Sequence, residues 1–472
     1  MRTTAVPSDS RRLALSAAAG EGVTSDAEVR AWIDERRLRD GLHLERTTFD
    51  ALPRWSTDPA TGDVSHDSGG FFAVRGMDVR RPDGSGWQQP VVVQPEVGIL
   101  GMVVREIDGL LHCLVQAKVE PGNPGAVQLS PTVQATRSNY TRLHHGATVR
   151  HLEHFLPGSG ARTVSDSLQS EHGTWFWRKR NRNVVVEVDH ALEDGEDHRW
   201  LTVGQVQRFL REDDTVNMCT RTVLAGAPLR GGAPAHDEFT DALAAGLAPG
   251  ARSRHSDAEV RAWFTAARVE AGMESRLVPL GSVQDWVRTP EEVFHRDGGH
   301  FRVVAVDVGS ASREVHRWSQ PLLAPVGVGT AALLARPIDG VLHVLARAAV
   351  EPGFRDGVEI GPTVQFTPCP GTPDPLFADV VAAAPARARR FDSVLSEEGG
   401  RFLDARCRYQ VVEVGEEVPL AEPPGFCWVT PAQLADLLPH AHYADIQART
   451  LVTCLVSLLG AGAGRGRRLR AA

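Results

Sequence analysis

Apolar residues along this chain fall in short runs rather than long helical stripes. Segments such as VVVQP, ILGMVV, LLHCLVQAKVE and VVVEV read as strands, set off by Asp-Gly and Pro-Gly turns. Helix starts are marked by capping pairs. Ser25 with Glu28 and Ser256 with Glu259 are S-x-x-E boxes, and Thr202 with Gln205 and Thr430 with Gln433, the last behind Pro431, repeat the device further on. Strands between terminal helices predict an α+β fold in which a mixed β-sheet is flanked by helices.

The pattern occurs twice. SDAEVRAW at Ser25–Trp32 returns at Ser256–Trp263, a displacement of 231 residues, and DGLLHCLVQAKVEPG returns as DGVLHVLARAAVEPG with the same shift. DSLQSEHGTWF and DSVLSEEGGRF match at 226. The chain therefore divides into two homologous halves, 25–228 and 256–460, joined by an Ala/Gly/Pro-rich linker over 229–255 with room for one short helix. Residues 1–24 and 461–472 are predicted to be flexible.

Polar side chains concentrate in three places. VQLSPTVQAT over Val127–Thr136 alternates strictly, with Gln128, Ser130, Thr132, Gln134 and Thr136 on one face. These uncharged amides and hydroxyls suit a polar, uncharged ligand, although an amphipathic strand is more often a solvated face. The preceding strand adds His112, Gln116, Lys118 and Glu120, again at period two. A third cluster, QSEHGTWFWRKRNRN, joins Glu171 to Trp175 and to Arg180, Asn181 and Arg182; arginine forks and aromatic faces suit a nucleotide diphosphate, and a solvated basic hairpin is the plain alternative. Asn139 and Tyr140 follow the polar strand.

Composition narrows the class. A net charge of -8 over 472 residues argues against nucleic-acid binding, and no run of apolar residues is long enough to span a membrane, so a cytoplasmic protein is expected. The six cysteines show no C-x-x-C pair and no histidine at metal-ligand spacing, so no zinc site or disulfide framework is expected. Of 51 basic residues only Lys118 and Lys179 are lysines. No G-x-G-x-x-G after a strand, Walker A run or H-E-x-x-H is present.

On EPGNPGAVQLSPTVQATRSNY, LQSEHGTWFWRKRNRNVVVEV and VNMCTRTVL in the first half, and QPLLAPVG, EPGFRDGVEIGPTVQFTP and SEEGGRF in the second, the chain resembles the NDP-hexose 2,3-dehydratases of deoxysugar biosynthesis. The resemblance covers nearly the whole length. It implies two Nudix-like halves, a homodimer, and dTDP-4-keto-6-deoxy-glucose as substrate, with a labile diketo product passed to an NADPH-dependent 3-ketoreductase. Neither half carries the Nudix box, whose carboxylates hold the magnesium that cleaves diphosphates. A base removing the acidified C3 hydrogen and an acid assisting departure of the C2 hydroxyl suffice, with no redox cofactor or metal.

Among the residues, Glu120 or Glu171 is expected as base and Tyr140 or His112 as acid or enolate donor. Gln128, Thr132, Gln134, Asn139 and Asn181 would orient the sugar, Arg180 and Arg182 would hold the diphosphate, and Trp175 would stack on thymine. The second half lacks the Asn-Tyr pair and has Cys407 for Asn181, so catalysis is expected in the first half. Glu351, Glu359, Thr363, Gln365, Glu397 and Arg408 survive as a second pocket, which keeps the opposite assignment open. A non-catalytic nucleotide-sugar binder and a Nudix pyrophosphohydrolase are the rival readings, the latter disfavoured by the missing box.

Overall fold

The computed structural model describes residues 8–137, 148–228, 237–311, 315–369 and 374–460. The fold is α+β, and the duplication is visible element by element. All four predicted capping boxes form, the Ser25 and Thr202 hydroxyls accepting from the amides of Glu28 and Gln205 at 3.3 and 3.2 Å, with equal geometry at Ser256 and Thr430.

Each half is built on a seven-stranded mixed sheet. In the first, the order is Arg162–Ser170, Arg180–Glu187, Gly98–Ile107, Leu110–Val119, His198–Thr202, with Val127–Ser130 added to Leu110–Val119 and Val133–Ala135 to Gly98–Ile107. Arg180–Glu187 runs parallel to Gly98–Ile107 and the other pairs are antiparallel. The second half repeats this with the parallel pair Gly329–Ile338 and Arg406–Glu413.

The alternating segment Val127–Thr136 is not one strand. Pro131 has no N–H for the ladder, so pairing breaks there and the two pieces join different neighbours. Nor is its polar face solvated: Gln128, Ser130 and Thr132 are buried.

The halves also exchange strands. His43–Thr47, at the start of the first copy, pairs with Phe301–Gly309 of the second, and Glu274–Val278 pairs with Ala73–Arg80 of the first. Each small five-stranded sheet therefore contains chain from both copies. The central helices Met218–Ala225 and Ile446–Val456 pack against each other, each carrying a fully buried arginine into the opposite half. The Arg221 guanidinium donates to the Ser396 carbonyl at 2.6 Å, and Arg449 donates to the Ser170 carbonyl at 2.5 Å.

The described part of the linker carries the one short helix expected there. Glu238–Leu247 is a helix whose Phe239, Leu243 and Leu247 enter the main core. Its counterpart at the other end, Asp9–Ala18, lies in the stretch predicted to be flexible; Leu13 is buried there and the Ser16 hydroxyl donates to the Leu111 carbonyl at 2.5 Å. Among the described residues no helix is long and apolar enough to cross a membrane. The tail 461–472 lies outside the described residues.

Candidate active site

A cavity of about 650 Å³ opens on the first half's large sheet, and both halves line it. Lys118 and Glu120 reach it from the end of Leu110–Val119, Gln134 from the short strand after Pro131, and Lys179 and Asn181 from the start of Arg180–Glu187. The second half supplies Gln320, Glu398 and Arg401. Lys118, Glu120 and Lys179 are buried on its floor, whereas the exposed Arg54 and Arg317 stand at the rim with the half-buried Trp318.

The trans contribution follows from a close crossing of loops. The Gly122 amide donates to the Gly399 carbonyl at 2.8 Å, and reciprocally the Gly353 amide donates to Gly173 at 2.7 Å. A Cβ at Gly122 would lie 1.7 Å from the Phe402 carbonyl oxygen, so only glycine allows the approach. Glu398 and Arg401 ride on the arriving loop.

Hydrogen bonds orient the floor. The Gln134 side-chain amide donates to Glu120 Oε1 at 2.7 Å, while its oxygen accepts from Asn217 at 3.0 Å and from the Ser130 hydroxyl at 2.9 Å. Its flip state is thereby set, presenting a donor to the carboxylate. Asn181 accepts from the Gly98 amide at 3.0 Å and donates to Glu171 Oε1 at 2.6 Å. Arg401 donates to Gln94 Oε1 at 3.1 Å and lies over the Phe72 ring at 4.2 Å.

Burial perturbs the charges. Glu398, half-buried in the cavity wall, is pushed up to about 8 by desolvation, against the pull of Arg401 and with the repulsion of Glu120 and Glu171. Lys179 is lowered to about 8 by burial, which the nearby carboxylates of Glu171 and Glu96 only partly oppose, and its ammonium donates to the Glu96 carbonyl at 2.5 Å. Burial thus biases Glu398 toward its protonated form in a cavity that also holds Lys118 and Lys179, a combination suited to proton transfer next to a developing oxyanion.

The expected site residues divide. Glu120, Gln134 and Asn181 line the cavity. Glu171 stands one layer behind Asn181, raised by burial, and does not reach the wall. His112 shares the face of Lys118, but six residues of strand separate them by about 20 Å; its ring is fixed by the Leu110 carbonyl at 3.0 Å and the Val23 amide at 3.3 Å. His343 repeats this role with Val341 and Arg254, so both histidines are structural.

Thr132 donates to the Leu114 carbonyl and accepts from the Val103 amide at 2.8 Å, Thr363 does the same at Leu345 and Leu334, and Gln128 accepts from Ser396 at 2.7 Å. These groups hold strands rather than ligand. Strand alternation turns Arg180 and Arg182 away from the face of Asn181, and Arg182 is spent on a bidentate pair with Asp166 at 2.7 and 2.9 Å. Trp175 packs on the Phe402 ring at 4.7 Å, among the aromatics between the halves. Asn139 and Tyr140 lie outside the described residues.

The expected second pocket is largely self-satisfied. Gln365 donates to Glu351 Oε1 at 2.9 Å, repeating Gln134 and Glu120, but Arg347 fills the space beside it, bonding Gln365 at 3.1 Å. Glu359 accepts from Ser170 at 2.5 Å, and Arg408 is paired with Asp392 as Arg182 is with Asp166. Glu397 accepts from Tyr409 at 2.7 Å and from His172 at 3.1 Å. Burial alone would raise Glu397, but His172 and Arg221 hold it below the usual carboxylate range.

Sequence reasoning missed Glu398, Arg401 and Gln320, which come from the other copy, and gave no role to the lysines. One signal was available: in an arginine-rich chain, both lysines line this cavity.

Residues 26–226 and 257–455 each match the family model described as NDP-hexose 2,3-dehydratase. The chain is 45% identical over 457 residues to a dTDP-4-dehydro-6-deoxy-alpha-D-glucopyranose 2,3-dehydratase of Amycolatopsis orientalis, covering 94% of this chain and 93% of the relative. It is 43% identical over 468 residues to one of Saccharopolyspora spinosa, covering 96% of each. With both halves matched in register and a carboxylate-lysine cavity between them, the chain belongs to the NDP-hexose 2,3-dehydratase family.

Proposed function

We propose that this enzyme removes water across C2–C3 of dTDP-4-keto-6-deoxy-D-glucose, giving the 3,4-diketo-2,6-dideoxy sugar. The observation that carries the reading is one cavity holding Glu120 together with Glu398, whose carboxyl burial raises, and relatives of nearly full coverage that bear this activity in their names.

In this reading Glu120, oriented by Gln134, takes the C3 proton. The electron pair moves into the C4 carbonyl, where Lys118 and Lys179 stabilise the enolate oxygen. As that carbonyl re-forms, the C2–O bond breaks and Glu398 protonates the departing hydroxyl as water. The resulting C3 enol gains a proton at C2 and loses its hydroxyl proton to become the ketone. Transfer of the proton from Glu120 to Glu398 resets the site. Arg54 and Arg317 take the diphosphate, since their exposed pairs with Asp67 and Asp307 cost little to exchange. Trp318 offers a face for the base.

We read each half as Nudix-like, a view supported by the mixed sheet with its central parallel pair and flanking helices. The activity rests on the site and not on that likeness. Homodimer formation, a cytoplasmic location and hand-over of the labile product to an NADPH-dependent 3-ketoreductase belong to the same proposal. Incubating the purified protein with dTDP-4-keto-6-deoxy-glucose, with and without such a reductase and NADPH, tests it. A trapped 2-deoxy sugar is expected; unchanged sugar despite measurable binding identifies a non-catalytic binder and overturns the proposal.

A further inference from the structure

The first half's cavity is walled in part by His66 and Phe71. The matching loop of the second half reads HRDGGHF against HDSGGFF, so the equivalents of His66, Ser68 and Phe71 are His295, Asp297 and His300. Where the first half offers one imidazole, the second therefore offers two imidazoles and a carboxylate. Their donor atoms lie within 4.8 Å of one another.

A fourth donor arrives from elsewhere in the chain. Cys369, following the strand Val364–Phe366, brings its Sγ to 3.5 Å from His300 Nε2. It is the only one of the six cysteines that is not buried. On the other side, His300 Nε2 stands 3.6 Å from Asp297 Oδ2, and Asp297 Oδ1 is 2.7 Å from His295 Nδ1.

His295, Asp297 and His300 form the close group, and Cys369, which approaches His300 but stands outside that group, would have to be drawn in to complete a tetrahedral set. With Zn–N near 2.0–2.1 Å and Zn–S near 2.3 Å, neighbouring donors around tetrahedral zinc sit about 3.3–3.6 Å apart. Two of the three measured edges fall at this value. The third, between His295 and Asp297, is a hydrogen bond that a cation would replace by drawing the carboxylate back by less than about 1 Å. The set is partly exposed, so a cation has access.

We propose that the second half carries a structural zinc site made of His295, Asp297, His300 and Cys369. The ion clips the Glu292–Gly309 hairpin to the segment after Phe366, at a hairpin where the first-half counterparts of His295 and His300, His66 and Phe71, line the cavity. Sequence spacing concealed the site, because Cys369 stands 69 residues from its nearest histidine partner. The proposal is independent of the reaction assigned to the first half.

Cobalt titration of chelator-treated full-length protein tests it. The expected result is one equivalent of Co²⁺ bound per chain, with the visible band of tetrahedral cobalt and a near-ultraviolet thiolate-to-cobalt band, both abolished by added Zn²⁺. Cys369→Ser should lose the charge-transfer band, and His300→Ala should weaken binding more than the roughly 10–100-fold typical of losing a ligand's hydrogen-bond partner. Zinc should raise the Tm of the parent chain and not that of either variant, while the metal-free melting points stay alike. No stoichiometric uptake by the parent overturns the site. So does uptake unchanged in both variants, or uptake lost only with His154→Ala, which would place the ion at the separate His151, Glu153 and His154 group.

Discussion

Glu398 of the second copy and Glu120 of the first share one cavity, and the charge of Glu120 helps to push the Glu398 carboxyl up to about 8. A carboxyl from one repeat thus stands against a carboxylate of the other. The pair exists only because the loops cross at Gly122 and Gly399.

Replacing the acid tests this directly. Glu398→Gln should lower kcat by about 10²–10⁴-fold, the usual contribution of a general acid or base, with little change in KM. Folding raises this carboxyl above its unfolded value, so its contribution to stability is complete below pH 4.5 and is lost as pH rises toward 8. The neutral glutamine should accordingly melt at higher temperature than the parent at pH 8. Full turnover in the variant would remove Glu398 from the mechanism.

The pH profile of the parent should fall on the alkaline side. The acid must be protonated, and Lys179 must be charged, and both requirements fail as pH rises through about 8. Lys179→Met should reduce kcat, whereas Arg317→Met, altering only the rim, should raise KM. Steady-state kinetics from pH 6 to 9 separate the two.

Glu120 and Glu351 occupy equivalent places and accept equivalent amide bonds from Gln134 and Gln365. Only Glu120 faces the open cavity. Glu120→Gln should abolish sugar consumption, while Glu351→Gln should fold and keep the parent rate. The reverse result would move catalysis to the second half.

Arg221 and Arg449 hold the halves together through buried carbonyls. Arg449→Met leaves the Ser170 and Ala444 carbonyls without their donor and should cost about 3 kcal/mol in urea unfolding. Gly122→Ala should be at least as disruptive, because its Cβ meets backbone rather than a movable side chain.

The duplication, the α+β class, the capping boxes at Ser25, Thr202, Ser256 and Thr430, and the three cavity residues Glu120, Gln134 and Asn181 were legible in the sequence. Each is encoded locally, by a motif or by alternation along a strand. Alternation also misled. It put His112 on the face of Lys118 without registering the length of strand between them, and it could not register that Pro131 ends one strand or that Arg182 was committed to Asp166.

What only the tertiary structure decided is everything that passes between the copies: the exchanged strands His43–Thr47 and Glu274–Val278, the arrival of Glu398 and Arg401 in the first half's cavity, and the meeting of Cys369 with His300. Sequence similarity between repeats records what each copy keeps alike. It says nothing of which copy a given strand or loop packs against, because that choice is made by backbone hydrogen bonds and close glycine contacts formed only when the whole chain has closed.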